Sequence, residues 1–369
     1  MPERTEATEG AGRSAGVEQA GRGDRLRVGL VGTGWVAHQH VNGIRAVADD
    51  LVEVTAACDP RRVVLDEFCD THRIAARFDS ADALVRSGEV DVVALLTPPA
   101  VRDEVIDPAL ERGLHLLVEK PFAVSGARAV RYVRAAEDAG VVLAVGQNFR
   151  WFPEQVWLHE RTGAPDAGEP TYLEARSFQD RRQAPGQWRA DESRLEMAIF
   201  SVHLIDRLQW HARRAPVSVS ALTRRAPGSD LPGEQLTSLL VAFEGDLVGH
   251  LTSTWLARAL PGQDLRVDTS AGSAVAARVQ PMAGEAVGRA DLGEGPEEVR
   301  FPDDGPVTHA VASYGASMRE LAEAVRAGRA PAHSGRDNLA TMGIMEAAYL
   351  SAARGGDAVT VDEALAHDG

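Results

Sequence analysis

The strongest constraint on this chain is a rhythm in its first 150 residues. Short apolar runs of strand length alternate with helical stretches, and most of the runs end in a punctuated motif. Leu26, Val28, Leu30 and Val31 lead into Gly32-Thr33-Gly34, and a helical pattern follows to about residue 48. Residues 51–58 end in Asp59, and 63–78 read as a helix and a short strand. Residues 90–96 end in Thr97-Pro98-Pro99, and a helix over 105–112 closes at Gly113. Residues 114–118 end in Glu119-Lys120-Pro121, then a helix over 125–139 precedes a strand at 141–145. Apolar strands alternating with helices predict a parallel sheet covered on both faces. Ligands of such α/β sheets bind beyond the carboxyl ends of the strands, where these motifs fall.

The second half has another pattern. Residues 171–179, 216–223, 235–244 and 247–256 read as longer strands, and Glu244-Gly245-Asp246 as a hairpin turn. A helix near 194–212 interrupts them. Residues 262–306 predict short strands and loops, and helices return near 311–327 and 336–354. The expected domains are a disordered tail over 1–24, a dinucleotide-binding domain over 25–147, and an α+β domain over 148–369. The last carries a large, mostly antiparallel open sheet, and its final helices are candidates to pack back on the first domain.

Composition narrows the function. The 54 acidic against 39 basic residues give a net charge of −15. Such a balance argues against nucleic acid or an anionic membrane as partner. Two cysteines form neither a disulfide framework nor a zinc cluster, so no metal is expected and a reducing, cytoplasmic setting fits. No apolar run reaches the roughly 18 residues of a membrane span.

Gly32-Thr33-Gly34-Trp35-Val36-Ala37 matches G-x-G-x-x-A between a strand and a helix. The glycines permit a tight turn, and the helix start offers unpaired N–H groups to a pyrophosphate. Asp59 closes the next strand, suited to ribose hydroxyls and hence to NAD. Arg61 and Arg62 beside it keep NADP as the alternative. Lys120 is the sole lysine among 39 basic residues. An arginine-rich composition spares a lysine where an amine must exchange a proton, which arginine cannot do. Glu119 either holds this lysine or faces the cofactor.

These segments together resemble the Gfo/Idh/MocA oxidoreductases. The resemblance rests on GTGWVA followed by His40, TPP at 97–99, LVEKP at 117–121, VGQNFRWFP at 145–153 and HLID at 203–206. It implies a Rossmann domain, a C-terminal α/β domain, and NAD(P)-linked oxidation or reduction of sugars and cyclitols. It assigns the proton-handling roles to Lys120 and His203, and cofactor contacts to Thr97, Pro98 and Glu119 besides the glycine loop. One position departs from the pattern: where the family carries a carboxylate one turn before the histidine, this chain has Ile199. Glu196 lies two turns before His203, about 10 Å away along the axis, and Asp191 sits on a looser segment. Each is a candidate replacement, as is proton transfer without any carboxylate. The family's histidine after the threonine-proline pair is Arg102 here.

Asn148, Arg150, Trp188, Arg189, Glu196 and Ile199 are the candidate substrate contacts. The expected activity is hydride transfer between a nicotinamide and a secondary alcohol or ketone of a sugar, cyclitol or sugar-derived intermediate, in a homodimer or homotetramer. The alternatives are a redox-neutral, glycosidase-like enzyme with retained NAD and a non-catalytic NAD(P)-binding regulator.

Overall fold

The computed structural model describes residues 25–182 and 188–368. The expected N-terminal tail lies outside the described residues.

The first sheet is built from β1 (Leu26–Val31), β2 (Val52–Cys58), β3 (Ala76–Phe78), β4 (Val92–Leu95), β5 (His115–Val118) and β6 (Leu143–Val145). It is parallel throughout, in the order β3-β2-β1-β4-β5-β6. The crossovers are helical: α1 (Trp35–Val47), α2 (Arg62–His72), α3 (Ala81–Arg86), α4 (Asp103–Glu111) and α5 (Gly126–Asp138). All four residues of β4 are buried, because strands sandwiched between helices have no solvent face. The order reverses between β1 and β4, so the loops after these strands open into one crevice.

After a 3₁₀ turn, Asn148–Trp151, and α6 (Pro153–Thr162), the second sheet begins with β7 (Pro170–Phe178). A π-helical turn, Met197–Ser201, runs into α7 (Val202–Ala212). Then come β8 (Pro216–Arg224), β9 (Leu236–Phe243), β10 (Val248–Thr254), β11 (Gly262–Thr269), β12 (Ser273–Gln280), β13 (Ala283–Asp291) and β14 (Glu297–Phe301). Helices α8 (His309–Ala327) and α9 (Gly335–Ala353), the short β15 (Val359–Thr360) and α10 (Val361–Ala366) close the chain. The nine-stranded order is β14-β13-β12-β11-β7-β10-β9-β8-β15, antiparallel except where β10 meets β7. Its strands alternate buried and accessible residues, the signature of a sheet covered on one face only.

Residues 262–306 hold four substantial strands instead of short strands and loops. Their alanines and glycines mimic a loop composition but do packing work. Ala274, Ala276, Ala286 and Ala290 are buried, and a Cβ on Gly288 would come within 2.5 Å of the Trp157 ring.

Two features join the halves. Helix α8 lies on α1 backbone to backbone: a Cβ on Gly315 would sit 2.0 Å from Gly43 O. Met318, Leu321 and Ala322 thereby enter the core of the first sheet. The second feature is a buried ion cluster. Arg150 donates to both oxygens of Asp206 at 2.6 Å, to Asp337 at 2.6 Å and to Ala332 O at 2.8 Å. Thr341 adds a hydrogen bond to Asp206, so the cluster ties the turn after β6 to α7 and α9.

Candidate active site

A cleft of about 350 Å³ opens at the carboxyl ends of the first sheet. One wall comes from that sheet: Gly34, Trp35 and Val36 after β1, Leu96 to Pro99 and Arg102 after β4, and Glu119 to Pro121 after β5. The other wall comes from the second half: Phe149, Arg181, Ile199, Phe200, His203, Met282 and Tyr314.

The glycine loop is shaped to receive a group that the protein does not provide. Gly32 has φ +98°, a conformation that favours glycine. Gly34 caps α1 with no side-chain hydrogen bond, and a Cβ there would project into open space. The first amides of α1 thus lack a side-chain cap and border a cavity, the arrangement that suits a pyrophosphate. Thr97 Oγ1 is buried on the same wall without a hydrogen-bond partner among the described residues.

Asp59 departs from the simple expectation. Its oxygens take five hydrogen bonds, from Thr33 N and Oγ1 and from Arg61 N, Nε and NH2, at 2.9–3.1 Å. A carboxylate has about four lone-pair sites, so both oxygens are saturated. Burial opposes ionisation, yet the donors of Arg61 and Thr33 win and hold the carboxyl well below its ordinary range. A ribose hydroxyl reaches Asp59 only by displacing Arg61, whose side chain is exposed.

Glu119 accepts from His40 Nε2 at 2.9 Å and from the Lys120 amide at 3.1 Å. Burial again favours the neutral acid, but His40, Lys120 and Arg102 outweigh it and keep Glu119 below the carboxylate norm. His40 is buried with its ring against Tyr314. His38 is half-buried and paired with His72 at 2.7 Å. Arg102 is 1% exposed and donates to the carbonyls of Thr97, Pro121 and Phe122. Burial pulls its guanidinium down to about 10, still charged at neutral pH. The Lys120–Pro121 bond is cis.

Lys120 Nζ donates to the backbone oxygen of Ile199 at 2.6 Å. The position that lacks a carboxylate therefore still supplies an acceptor, through its main chain. This oxygen lies in the π turn, where residues 197–201 are under-wound relative to an α-helix and an extra residue bulges from it. Glu234 fixes the entry to that turn by accepting from Leu195 N and Met197 N. His203, one turn further, stacks on Phe149 with centroids 4.1 Å apart. Its Nδ1 donates to Gln147 Oε1 at 3.0 Å, which makes Nε2 the basic nitrogen. Burial first, then the charges of Lys120, Arg207 and Arg181, depress the imidazole well below its usual value and keep it neutral.

Several expected contacts lie elsewhere. Glu196 is fully buried behind the wall, held by the hydroxyls of Ser201, Thr237 and Ser253. It cannot stand in for the carboxylate missing at Ile199, because neutral hydroxyls fill its lone pairs and burial raises its pKa. Asp191 is exposed on a 3₁₀ turn. Asn148 donates to Ser313 at the junction of the halves, and Arg150 belongs to the buried ion cluster; neither lines the cleft. The side chains of Trp188 and Arg189 lie outside the described residues. Sequence reasoning missed Gln147 and Phe149, although both sit in the VGQNFRWFP segment. It also missed Arg181, Met282 and Tyr314, which carry no local signature.

Comparison with known proteins agrees with this architecture. A family model described as an oxidoreductase family with an NAD-binding Rossmann fold matches residues 26–147, and the C-terminal domain model of the same family matches 158–275. The chain belongs to the Gfo/Idh/MocA oxidoreductase family. Among its relatives, D-apiose dehydrogenase of Paraburkholderia graminis is 26% identical over 90% of this chain and 88% of its own length. Inositol 2-dehydrogenase of Rhizobium meliloti is 24% identical over 89% of this chain and 97% of its own. An oxidoreductase from Agrobacterium radiobacter, solved with NAD+, L-tartaric acid and magnesium, superposes with a TM-score of 0.83 at 22% identity, covering 92% and 99% of the two chains. Within the family this chain is an NAD-binding oxidoreductase, and the glycine loop, uncapped α1 and unpartnered Thr97 hydroxyl fit that cofactor.

Proposed function

We propose that this enzyme interconverts a secondary alcohol and a ketone on a sugar, cyclitol or sugar-derived intermediate. The observation that carries the reading is the meeting of Lys120 and His203 on opposite walls of one cleft, beside the uncapped start of α1. Sugar and cyclitol dehydrogenases among its relatives support the substrate class. NAD, when bound, supplies the hydride acceptor or donor.

The chain's own residues handle the oxygen. Gly32, Thr33, Gly34, Trp35 and Val36 would hold the pyrophosphate end of NAD, Asp59 and Arg61 the adenosine ribose, and Thr97, Pro98 and Glu119 the nicotinamide end. Lys120 places a cation against the substrate oxygen and stabilises negative charge developing there. The Ile199 carbonyl orients that ammonium but, unlike a carboxylate, cannot take its proton. The neutral His203 imidazole accepts the hydroxyl proton in oxidation and returns it in reduction. Gln147 fixes which nitrogen does so.

Cys58 and Cys69 are free and buried, in keeping with a cytoplasmic protein. No helix among the described residues is long and apolar enough to cross a membrane. The accessible face of the nine-stranded sheet carries Leu222, Leu240 and Val248, which supports pairing of two copies there.

The test is calorimetric titration of the full chain with NAD, NADH, NADP and NADPH, followed by a screen of sugars and cyclitols for NADH formation. Binding of NAD and NADH with turnover of one such substrate is the expected result. Failure of every nucleotide to bind would overturn the reading.

A further inference from the structure

Arg102 makes a link that the sheet itself does not supply. Among the described residues, the backbone bonding between β4 and β5 ends where Glu119 N donates to Leu95 O at 3.0 Å. Beyond that point Pro98, Pro99 and Pro121 have no N–H to offer. One side chain joins the two loops instead. Arg102 Nε and NH2 donate to Thr97 O at 3.2 and 2.8 Å, and NH1 donates to Phe122 O at 3.0 Å and to Pro121 O. Four hydrogen bonds thus converge on three carbonyls, two of them in the segment that follows Lys120. A guanidinium can do this because it presents five N–H donors in one rigid plane. The histidine that the family pattern places here has two ring nitrogens and could not reach all three oxygens.

A buried cation is a costly way to hold a loop. Arg102 is 1% exposed, its hydrogen-bond acceptors are neutral, and Glu119 attracts it only through space. An apolar side chain of similar volume would pack at lower cost. The start of α4 also has another anchor. The next residue, Asp103, accepts from Arg128, Arg131 and Tyr132 and so holds α4 against α5. What the guanidinium adds is fixed geometry, at a place where geometry matters. On one side it grips Thr97, which carries the unpartnered hydroxyl on the cofactor wall. On the other it grips Pro121, one residue after the lysine whose ammonium reaches Ile199 O across the cleft.

We propose that Arg102 is a positioning residue for hydride transfer: by gripping both loops it sets the distance between the nicotinamide end of NAD, held at Thr97, and the Lys120 ammonium. This inference rests on the dehydrogenase reading and goes beyond it, because Arg102 acts through the main chain and needs no contact with the substrate.

The sole lysine makes that distance measurable. Lys120 is labelled with acetic anhydride in the full chain, with and without saturating NADH, and the rate is read by mass spectrometry of its peptide. NADH affinity is measured by calorimetry. In the wild-type chain NADH should slow the labelling about tenfold, because the nicotinamide end stands against the amine. Arg102→Gln should bind NADH within about threefold of wild type, yet NADH should then slow the labelling only about twofold or less. Arg102→Ala should behave alike, and millimolar ethylguanidinium, which restores the planar donors, should recover most of the protection. Asp103→Asn is the control for a purely structural role: it should lower the melting temperature and leave the protection intact. With a substrate from the sugar and cyclitol screen, kcat of Arg102→Gln should fall about 10²-fold at unchanged KM for NAD. No protection in the wild-type chain, full protection in Arg102→Gln, or equal loss in Asp103→Asn overturns the proposal while leaving the dehydrogenase reading intact. Failure of the wild-type chain to bind NADH overturns both.

Discussion

The two walls of the cleft are built by different rules. The wall from the first sheet is made of strand ends, and each polar group stands where the parallel topology must put it. The wall from the second half hangs on one π turn and on a lysine held by a main-chain oxygen. Two buried carboxyl groups show the contrast. Glu119 sits among cations and is held ionised, whereas Glu196, a few residues from His203, is pushed toward its neutral form by burial that its hydroxyl donors only partly offset. A carboxylate's position in sequence says little about its chemistry; the charge of its neighbours decides.

Five substitutions bear on this contrast, and the first carries the largest expected effect. Lys120→Arg keeps the charge but replaces the compact ammonium held by Ile199 with a larger planar group that cannot sit against the substrate oxygen in the same place, and kcat should fall by about 10³-fold. Ile199→Ala keeps the carbonyl, so its loss should stay within about tenfold. Equal losses would mean that the isoleucine side chain, not the backbone, matters. Asp206→Asn weakens the cluster that anchors α7 and should cost about 3 kcal/mol in urea denaturation, because Arg150 stays buried beside a neutral partner.

Gln147→Glu adds an anion against His203 and so favours the protonated imidazole. The wild-type group is depressed well below 6.5 and stays neutral down to acid pH. The variant's group rises, so the acid limb of the oxidation profile should move up by about one pH unit. A profile that does not move would remove His203 as proton acceptor. On the opposite wall, Arg61→Ala frees the saturated oxygens of Asp59. NAD should then bind about threefold tighter and NADP about tenfold weaker, measured by calorimetry.

Legibility in the sequence follows the same divide. Gly34, Thr97 and Glu119-Lys120 were readable as cleft residues because strand ends and a fingerprint fix their place, whereas the Arg61 that occupies Asp59 was not foreseen in that role. Asn148 and Arg150 misled because a polar residue after a strand reads alike whether it faces a cleft or a buried partner. Glu196 misled because helical spacing assumes an α-helix, and the π turn breaks that spacing. Arg181 and Met282 were invisible because only the pairing of distant strands brings them to the cleft.

The glycine contact between α1 and α8 has a consequence for how the chain can be divided. Its first 147 residues look like a portable module, yet part of that module's apolar interior arrives about 170 residues later, with Met318 and Leu321. A fragment ending at residue 147 would leave the ribosome with a bare stripe along α1, and chaperones and proteases would meet it before any nucleotide could.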